Sequence, residues 1–491
     1  MKLCLINPPL VIPQAWGVPE IFQPLGLAYV ASVLEKEHEV NIIDANAEDW
    51  RNLEKFSTKC YSGLSLDKLE DRIRRVKPDV IGISVPFSVS QPIALQIASR
   101  IKGLDKDIPV IFGGSHPSAR PTETLSNENV DFVVVGEGEF TTFELIRYLE
   151  SGSDFSSVRG IAYRKGGVPN MTAERPLIRD LDSLPFPARH LLPMKNYFEA
   201  ARSGRGVRRS YTFSERWASM ITSRGCPYRC VFCSIHTTMG RSFRPRSAEN
   251  VIEEIEDLVR LFGIRHINLE DDNMTLDRKR FQAICDLIIE RDLDITWSAP
   301  NGIRADTLDE EMVEKMQMSG CKRVFVAPES GVQSVVTNII GKGLDLGKVE
   351  RAVILLKRHS IIVDGSFVIG FVGESKDDIF QTIRFAKKLK RLGMQDAGIH
   401  IATPYYGTKL YADALRKGYL RKDLDDSMMS TYEPLISTNE WSLTELKRLR
   451  ENASWVVNAS YLRKITGLLY VALAGRFSEV FDRIKVILKT V

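Results

Sequence analysis

The chain has 491 residues, of which 44% are hydrophobic and 26% are charged, and its formal net charge is +4. This composition predicts an ordinary folded protein of about three domains and excludes a disordered one. So small a charge gives no reason to expect nucleic-acid binding, and no apolar run approaches the roughly 20 residues that span a bilayer.

The cysteines and the first residues predict a cytoplasmic protein. Outside one closely spaced triplet, the cysteines stand singly at positions 4, 60, 285 and 321, as expected of reduced thiols in the cytosol. The first apolar run is broken early by Pro8 and Pro9, which makes it too short for a signal peptide.

Residues 1–149 alternate short apolar runs with amphipathic stretches, which predicts a doubly wound, Rossmann-like α/β domain with a parallel sheet. Ligands of such sheets bind outside the carboxyl ends of the strands. The predicted strands are 2–6, 39–43, 80–85, 110–112 and 132–135, and the predicted helices are 26–36, 66–76, 92–102 and 140–149.

The segments that follow these strands contain prolines, glycines and small polar residues. A single pair of glycines there is most often ordinary turn chemistry, although glycine also lets the backbone approach a bulky ligand. Taken together, the segments resemble the cobalamin-binding domain that precedes the radical domain in one class of radical S-adenosylmethionine (SAM) enzymes, most closely at 78–84, 113–117 and 135–139. The resemblance implies cobalamin contacts by Asn7, Pro8, Ser84, Gly113, Gly114, His116, Gly136, Glu137 and Gly138.

One departure from other corrinoid proteins bears on the cobalt ligand. None of the seven histidines lies in the Asp-x-His-x-x-Gly pattern that supplies a histidine to cobalt. We therefore expect cobalamin to bind base-off without a histidine ligand, and we expect His116 to form a hydrogen bond or to pack. A sheet that has kept its shape and lost the corrinoid is the alternative.

Residues 150–210 are richer in turn formers and basic residues and are predicted to be a linker. Prolines make 181–189 an extended segment, because each keeps its predecessor out of a helix. Arginines cluster at 202, 205, 208 and 209. This cluster is either a solvated loop or a contact for phosphate or carboxylate groups.

The most specific feature is the cysteine triplet in Ser-Arg-Gly-Cys-Pro-Tyr-Arg-Cys-Val-Phe-Cys (223–233), formed by Cys226, Cys230 and Cys233. Three thiolates can hold three irons of a [4Fe–4S] cluster, and the fourth iron is then open to a small molecule. A structural zinc site needs four protein ligands and would have to recruit His236, which is the alternative. An odd number argues against disulfides.

The spacing C-x-x-x-C-x-aromatic-C, with Phe232 at the aromatic position, resembles that of the radical SAM enzymes. Residues 211–410 then alternate strands with helices, and this pattern fits the partial (β/α)6 barrel of that family. The predicted strands are 218–222, 266–269, 296–299, 323–327, 361–369 and 398–402, and the predicted helices are 251–262, 277–290, 309–319, 348–358 and 377–392.

The same resemblance implies SAM contacts at the later strand ends. Glu270, Asp271 and Asp272 stand where the family's Gly-Gly-Glu motif binds the methionyl amine, although the two glycines are missing. Arg304 would pair with the SAM carboxylate, since a guanidinium matches a carboxylate bidentately. Further contacts are implied for Phe232, Glu329, Ser330, Ile369 and Gly370.

Residues 411–491 are predicted to form a helical C-terminal region, with helices at 410–417, 444–459, 461–474 and 477–488. The last helix is amphipathic. It is either a lid packed on the barrel or a membrane-surface helix that serves a lipid-like substrate.

The resemblance implies a cobalamin-dependent radical SAM enzyme that cleaves SAM reductively to a 5′-deoxyadenosyl radical and methylates an unactivated carbon. It also implies a small-molecule or lipid-like substrate and an external electron donor of the flavodoxin or ferredoxin type. One alternative is a radical SAM enzyme that catalyses cyclisation, rearrangement or carbon–carbon coupling, and another is a non-catalytic corrinoid- and cluster-binding protein.

Overall fold

The structure, a computed structural model, describes residues 1–13, 20–56, 59–204, 211–459 and 477–490. The chain divides into two compact units, unit 1 with Met1–Pro227 and Ser234–Asp272, and unit 2 with Tyr228–Cys233 and Asn273–Val491. The predicted helix 461–474 and three arginines of the basic cluster, Arg205, Arg208 and Arg209, lie outside the described residues.

Unit 1 contains a large sheet, two smaller sheets and the parallel strands Trp217–Met220 and His266–Leu269. Its strands are β1 (Lys2–Asn7), β2 (Leu10–Pro13), β3 (Glu39–Asp44), β4 (Leu53–Phe56), β5 (Lys59–Ser62), β6 (Val80–Ser84), β7 (Val110–Gly113), β8 (Phe132–Val134), β9 (Ile161–Lys165), β10 (Val168–Met171), β11 (Trp217–Met220), β12 (Ser223–Arg224), β13 (Arg244–Pro245) and β14 (His266–Leu269). Its helices are α1 (Leu25–Leu34), α2 (Ala45–Glu48), α3 (Leu66–Val76), α4 (Gln91–Leu104), α5 (Ser115–Ala119), α6 (Pro121–Leu125), α7 (Glu139–Ser151), α8 (Met194–Ser203) and α9 (Ala248–Phe262).

The large sheet has the strand order β10-β9-β8-β7-β6-β1-β3, in which β3, β1, β6, β7 and β8 are parallel. Its strands read as continuous apolar runs because both faces are buried. The chain adds β3 on one side of β1 and β6 on the other, which makes the carboxyl ends of β1 and β6 the topological switch point. Open sheets bind their ligands at this point.

The sheet continues past the predicted domain boundary at residue 149. The hairpin of β9 and β10 pairs antiparallel with β8, and Gly166 and Gly167 at its tip both have positive φ. Glycine adopts this conformation without strain, which suits a two-residue hairpin turn. The hairpin and α8 therefore give regular structure to a segment that was predicted to be a linker. The antiparallel sheet of β2, β5 and β4 was also not predicted.

Unit 2 continues the alternation of strands and helices. Its strands are β15 (Thr296–Ile303), β16 (Cys321–Glu329), β17 (Ile362–Ile369) and β18 (Asp396–Ile401), which pair consecutively and in parallel. Its helices are α10 (Arg278–Glu290), α11 (Glu310–Met318), α12 (Leu346–Arg358), α13 (Lys376–Leu392), α14 (Lys409–Arg416), α15 (Leu443–Asn458) and α16 (Phe477–Thr490), with a π-helix at Val335–Ile340. With the parallel pair β11 and β14 of unit 1, these are the six strands that the sequence predicted.

Local sequence explains where the helices of this region begin. Side chains of Asp277, Asp309 and Asp345 each accept a backbone N–H in the first turn of α10, α11 and α12. Such caps satisfy donors that have no partner within the helix. Each cap directly follows a loop, so the helix start was readable from the sequence.

The last helix, α16, packs against its neighbours in unit 2. Arg384 and Lys387 of α13 donate hydrogen bonds to the backbone oxygens of Lys489 and Thr490. Arg483 of α16 lies over the ring of Trp455 in α15. Among the described residues, no helix combines the length and the apolar character that crossing a bilayer requires.

Candidate active site

The three cysteines of the motif differ from the other cysteines in exposure. Cys226, Cys230 and Cys233 are partly exposed, and none of the seven cysteines, all of them described, forms a disulfide. In contrast, burial raises the pKa of the Cys285 thiol to about 12. The motif thiols are thus the accessible ones, as metal ligation requires.

Among the described residues, no three His, Cys, Asp or Glu side chains are close enough together to coordinate a single metal ion. A [4Fe–4S] cluster makes a different demand, because each thiolate binds a different iron and the sulfur atoms do not converge on one ion. Three accessible cysteines on one loop fit such a cluster.

The residues before Cys226, which we call the stem (Thr222–Gly225), are held by carboxylates from the end of β14. Asp271 accepts hydrogen bonds from the backbone N–H of Thr222 at 2.7 Å and from its Oγ1 at 2.6 Å, and also from Ser223 Oγ. Asp272 accepts from the N–H of Gly225 at 2.9 Å. Gly225 has φ +81°, and a Cβ there would lie 2.3 Å from the carbonyl oxygen of Ser242, so the tight stem needs glycine.

These contacts involve the three acidic residues that were predicted to bind the methionyl amine of SAM. Both carboxylate oxygens of Asp271 are used by the stem, and Glu270 Oε1 accepts from Ser219 Oγ at 2.6 Å. Burial raises the pKa of Asp272 to about 6, with an added contribution from nearby Asp271. Asp272 holds the stem through Oδ2, and contact with the methionyl amine stays a prediction for all three residues.

A buried group of four charges lies on another side of the stem. Arg224 donates to Glu137 at 2.8 Å and to Glu139 at 2.7 Å, and Arg244 donates to both carboxylate oxygens of Glu137 at 2.8–2.9 Å. All four side chains are less than 9% exposed. Burial opposes the charge of Arg224, but Glu139 and Glu137 outweigh it and raise the pKa of this guanidinium above its usual range. The cobalamin contact of Glu137 stays a prediction, and in this structure both of its carboxylate oxygens accept hydrogen bonds from arginines.

In unit 2, the second part of the motif is held by backbone bonds and apolar packing. The N–H of Val231 donates to the carbonyl oxygen of Ile340 at 2.9 Å. The carbonyl oxygen of Val231 in turn accepts from the N–H of Leu410 at 2.8 Å. Cys230, Val231 and Phe232 pack against a buried apolar cluster that includes Ile340 and Phe371. The rings of Phe232 and Phe371 are 5.9 Å apart.

Arg304 does not present its guanidinium as predicted. It donates bidentately to Asp306 at 2.7–2.9 Å and also to the carbonyl oxygens of Lys342 and Gly343 at 3.2 Å. Its guanidinium stacks on the ring of Tyr228, 3.8 Å from the centroid. Since Tyr228 lies between the first two cysteines, Arg304 supports the motif in this structure and is already engaged with a carboxylate.

A lysine that was not selected from the sequence lies beside Glu329. Lys342 Nζ donates to Glu329 Oε1 at 2.7 Å and to the carbonyl oxygen of Ala327. Glu329 is 5% exposed and has φ +67°, which is uncommon for a residue with a side chain and marks a constrained strand end. The flanking glycines Gly341 and Gly343 were the only signal in the sequence that could have drawn attention to this lysine.

The other residues predicted to bind SAM in unit 2 lie at the ends of β16 and β17. Ser330 is fully buried, and its Oγ lies 3.0 Å from Thr382 Oγ1 of α13, so it ties the strand end to a helix. Ile369 is buried, whereas Gly370 has φ +92° and donates its N–H to Glu374 Oε2 at 2.7 Å. A Cβ at Gly370 would meet Leu446 of α15 at 2.6 Å, so this turn requires glycine.

Two glycines at the carboxyl edge of the large sheet have no close neighbours on the side where a Cβ would lie. A Cβ built on Gly113 or Gly136 would meet no atom closer than 3.8 Å. Ser84, at the end of β6, is the register partner of Gly113 in β7. In contrast, Gly138 packs against Val30 of α1. Gly113 and Gly136 are thus uncrowded glycines at the edge where cobalamin was predicted, which is compatible with the group.

Other residues that were predicted to contact cobalamin form hydrogen bonds or pack within unit 1. His116 is buried, and its Nδ1 lies 2.9 Å from Ser88 Oγ, in keeping with a packing role. Asn7 donates to Asp44 Oδ1 at 2.8 Å, and Pro8 is buried beside it. Gly114, with φ +114°, turns tightly, because a Cβ there would lie 2.8 Å from the carbonyl oxygen of Val85.

Two protein-family models match the chain, one near its N-terminus and one in its middle. Residues 17–146 match the family model of the B12 binding domain, and residues 220–386 match that of the radical SAM superfamily. The fold is similar to that of the radical SAM methyltransferase TsrM from Kitasatospora setae, solved with cobalamin and a [4Fe–4S] cluster, with a TM-score of 0.64 and 18% identity. That similarity covers 84% of this chain and 74% of TsrM.

Two relatives resemble the chain over most of its length. An uncharacterized methyltransferase of Pyrococcus horikoshii is 33% identical over 92% of this chain and 91% of the relative. Cytidylyl-2-hydroxyethylphosphonate methyltransferase of Streptomyces wedmorensis is 30% identical over 85% of this chain and 82% of the relative. The chain belongs to the family of cobalamin-dependent radical SAM methyltransferases. Its cofactors are a [4Fe–4S] cluster, SAM and cobalamin.

Proposed function

We propose that this protein transfers a methyl group to an unactivated carbon of a small organic molecule. One observation carries the proposal: two relatives that are at least 30% identical over at least 85% of this chain are both methyltransferases. The residues of the site support it, since the cysteine triplet is accessible and uncrowded glycines lie at the carboxyl edge of the large sheet.

The cofactors supply the difficult chemistry, in that the reduced cluster cleaves SAM and cobalamin carries the transferred methyl group. The residues of the chain bind and orient. Cys226, Cys230 and Cys233 hold three irons. Lys342 has three N–H donors, of which Glu329 and Ala327 accept two in this structure, so it can offer one to the carboxylate of SAM. This role was predicted for Arg304, which Asp306 already occupies.

The proposal includes partners and a location. Reductive cleavage of SAM requires an external one-electron donor of the flavodoxin or ferredoxin type, and a reducing cytoplasm would keep the thiols available. α16 contacts α13 and α15 through Arg483 and its last backbone oxygens, whereas Ile484 and Leu488 of its apolar face are exposed, so the proposal keeps both a small-molecule and a lipid-like substrate.

Isotope transfer under anaerobic conditions tests the reaction. The reconstituted protein, with SAM that carries a deuterated methyl group and an extract of small molecules, should yield a labelled product. Each methylation should consume two molecules of SAM, giving one 5′-deoxyadenosine with methionine and one S-adenosylhomocysteine. Abundant 5′-deoxyadenosine without S-adenosylhomocysteine or label transfer would contradict methyl transfer and favour cyclisation or coupling.

The state of cobalt is tested separately. We expect base-off cobalamin without a histidine ligand, because His116 is buried against Ser88. Electron paramagnetic resonance of the cobalt(II) form should show no splitting by a protein nitrogen. A nitrogen splitting that disappears in His116→Ala would contradict this expectation.

A further inference from the structure

The loop that carries the cysteines is closed at its base by a short strand pair. β12 and β13 are antiparallel, with Ser223 opposite Pro245 and Arg224 opposite Arg244. Of the loop that they enclose, residues 225–227 and 234–243 belong to unit 1 together with this strand pair. The position of the base therefore determines where the loop that holds Cys226 starts.

This base contains an electrostatic conflict. Two arginines face each other across the strand pair, and like charges directly opposite each other destabilise a sheet. Both side chains are also buried, at 4% and 6% exposure, so water does not screen the repulsion. Isolated from other residues, this strand pair would not form.

Glu137 resolves the conflict, since it accepts hydrogen bonds from both arginines. Its Oε1 receives Arg224 at 2.8 Å and Arg244 at 2.9 Å, and its Oε2 receives Arg244 at 2.8 Å. Glu139 completes the charge balance through its 2.7 Å bond with Arg224. Two buried carboxylates thus neutralise two buried guanidinium groups.

The same contacts reach the chain on the far side of the cysteines. Arg244 donates to the carbonyl oxygen of Met239 at 2.8 Å. The tight approach at Gly225, where a Cβ would lie 2.9 Å from this oxygen, shows that the two flanks of the loop pack together. Glu137 is therefore linked to both flanks.

We propose that Glu137, assisted by Glu139, is a positioning residue for the iron–sulfur cluster: it bridges Arg224 and Arg244 and thereby closes the base of the cysteine loop. The Gly136–Glu139 segment therefore belongs to two features of unit 1. Gly136 lies at the carboxyl edge of the large sheet, whereas Glu137 and Glu139 accept hydrogen bonds at the base of the cysteine loop. The inference rests on the cluster of the proposed function and is independent of methyl transfer.

Glu137→Gln tests the bridge in the full-length protein, with cluster retention and corrinoid affinity measured separately. Retention of iron against a chelator should fall roughly 10- to 100-fold, as for other residues that support metal ligands. The electron paramagnetic resonance signal of the reduced cluster should lose its response to SAM, and hydroxocobalamin should bind as in the wild type. Loss of corrinoid binding with an intact cluster, or no change in either, would overturn the proposal.

Two further variants separate positioning from general damage. Asp364→Asn breaks a buried ion pair of similar exposure in unit 2, the 2.8 Å pair with Arg323, and should leave iron retention unchanged. In the double variant Glu137→Gln with Arg244→Met, one of the two facing arginines is gone, so iron retention should recover in part. If Glu137→Gln does not fold, recovery of folded, iron-loaded protein by the double variant supports the bridge. A folded double variant without recovery of iron retention refutes it.

Discussion

The two parts of the cysteine motif are held by opposite kinds of interaction. The stem in unit 1 is fixed by buried charges, with Asp271 on one side and the Glu137–Arg224 pair on another. The part in unit 2 is fixed by backbone bonds from Val231 to Ile340 and from Leu410 to Val231, and by apolar packing of Phe232. The stem should therefore respond to changes of charge, and the second part to changes of volume.

The difference has a physical reason in the neighbouring elements. The stem leaves β11 beside the end of β14, where polar carboxylates and backbone N–H groups meet. The second part packs against the π-helix and α14, whose inward side chains are apolar. A buried ion pair fixes one geometry, and removing one partner lowers the free energy of unfolding strongly because the other charge stays buried. Apolar contacts lose free energy in proportion to the volume removed.

The largest expected effect is common to both parts. Cys226→Ala in unit 1 and Cys230→Ala in unit 2 should both abolish formation of 5′-deoxyadenosine, because each thiolate holds one iron. Iron content and 5′-deoxyadenosine are measured after anaerobic reconstitution. The control is Cys285→Ala, which removes a buried thiol of α10 and should keep the cluster. An active protein that contains zinc and no iron would refute the cluster assignment.

The next largest effect should come from the charged stem. Arg224→Met leaves Glu139 buried without its cation, and breaking a buried pair in this way costs roughly 3–5 kcal/mol. The free energy of unfolding from urea titration measures this loss. As a control, Arg260→Met removes an exposed pair with Asp257 and should change stability by roughly 0–1 kcal/mol. Equal losses in the two variants would show that the stem does not depend on its charges.

A smaller and graded effect is expected in the apolar part. Ile340→Val removes one methyl group from a fully buried side chain and should cost roughly 0.5–1.5 kcal/mol. Its carbonyl still accepts from Val231, so the cluster should remain. Ile354→Val, at a position that is 39% exposed, is the matched control and should cost less. Loss of iron in Ile340→Val would show that this apolar contact matters as much for cluster retention as the charges of the stem do.

The sequence predicted the features that depend on local pattern. Apolar periodicity located the six strands from Trp217 onward within a few residues, and the spacing of Cys226, Cys230 and Cys233 identified the motif. Each of these two signals is formed by residues that lie within a few positions of one another in the chain. Residues 2–6 and 80–85 were likewise recognisable because parallel strands buried on both faces are continuously apolar.

The roles of individual polar residues depend on partners far away in the chain. Glu137 meets Arg224 and Arg244, which follow it by 87 and 107 positions, so no local pattern relates them. Arg304 differs in part, because its bidentate acceptor Asp306 lies two positions away, whereas its carbonyl acceptors at Lys342 and Gly343 lie 38 and 39 positions away. The β9–β10 hairpin escaped prediction for a different reason, since both strands are short and β10 is mostly exposed.

The smallest predicted effect is a difference in pH dependence between buried carboxylates of the two units. In unit 1, burial disfavours ionisation of Glu254, but Arg189 and Arg246 outweigh it and hold its pKa below the usual value. In unit 2, Glu374 is bonded by the N–H groups of Gly370 and Phe371, and burial raises its pKa to about 8.

The two groups should change stability in opposite directions as pH rises. Glu254 stabilises the fold above its unfolded pKa, and this contribution is lost as pH falls through its lower folded pKa. Glu374 retains its proton in the folded state, so its contribution is present below the usual value of 4.5 and is lost as pH rises to about 8. The free energy of unfolding of Glu374→Gln, measured against that of the wild type from about pH 5 to about pH 9, should lack this decline. Glu254→Gln, the counterpart in unit 1, should keep the decline because Glu374 is intact. Parallel curves for the wild type and Glu374→Gln would show that Glu374 is ionised in the folded protein, and the contrast between paired and solitary buried carboxylates would then not hold.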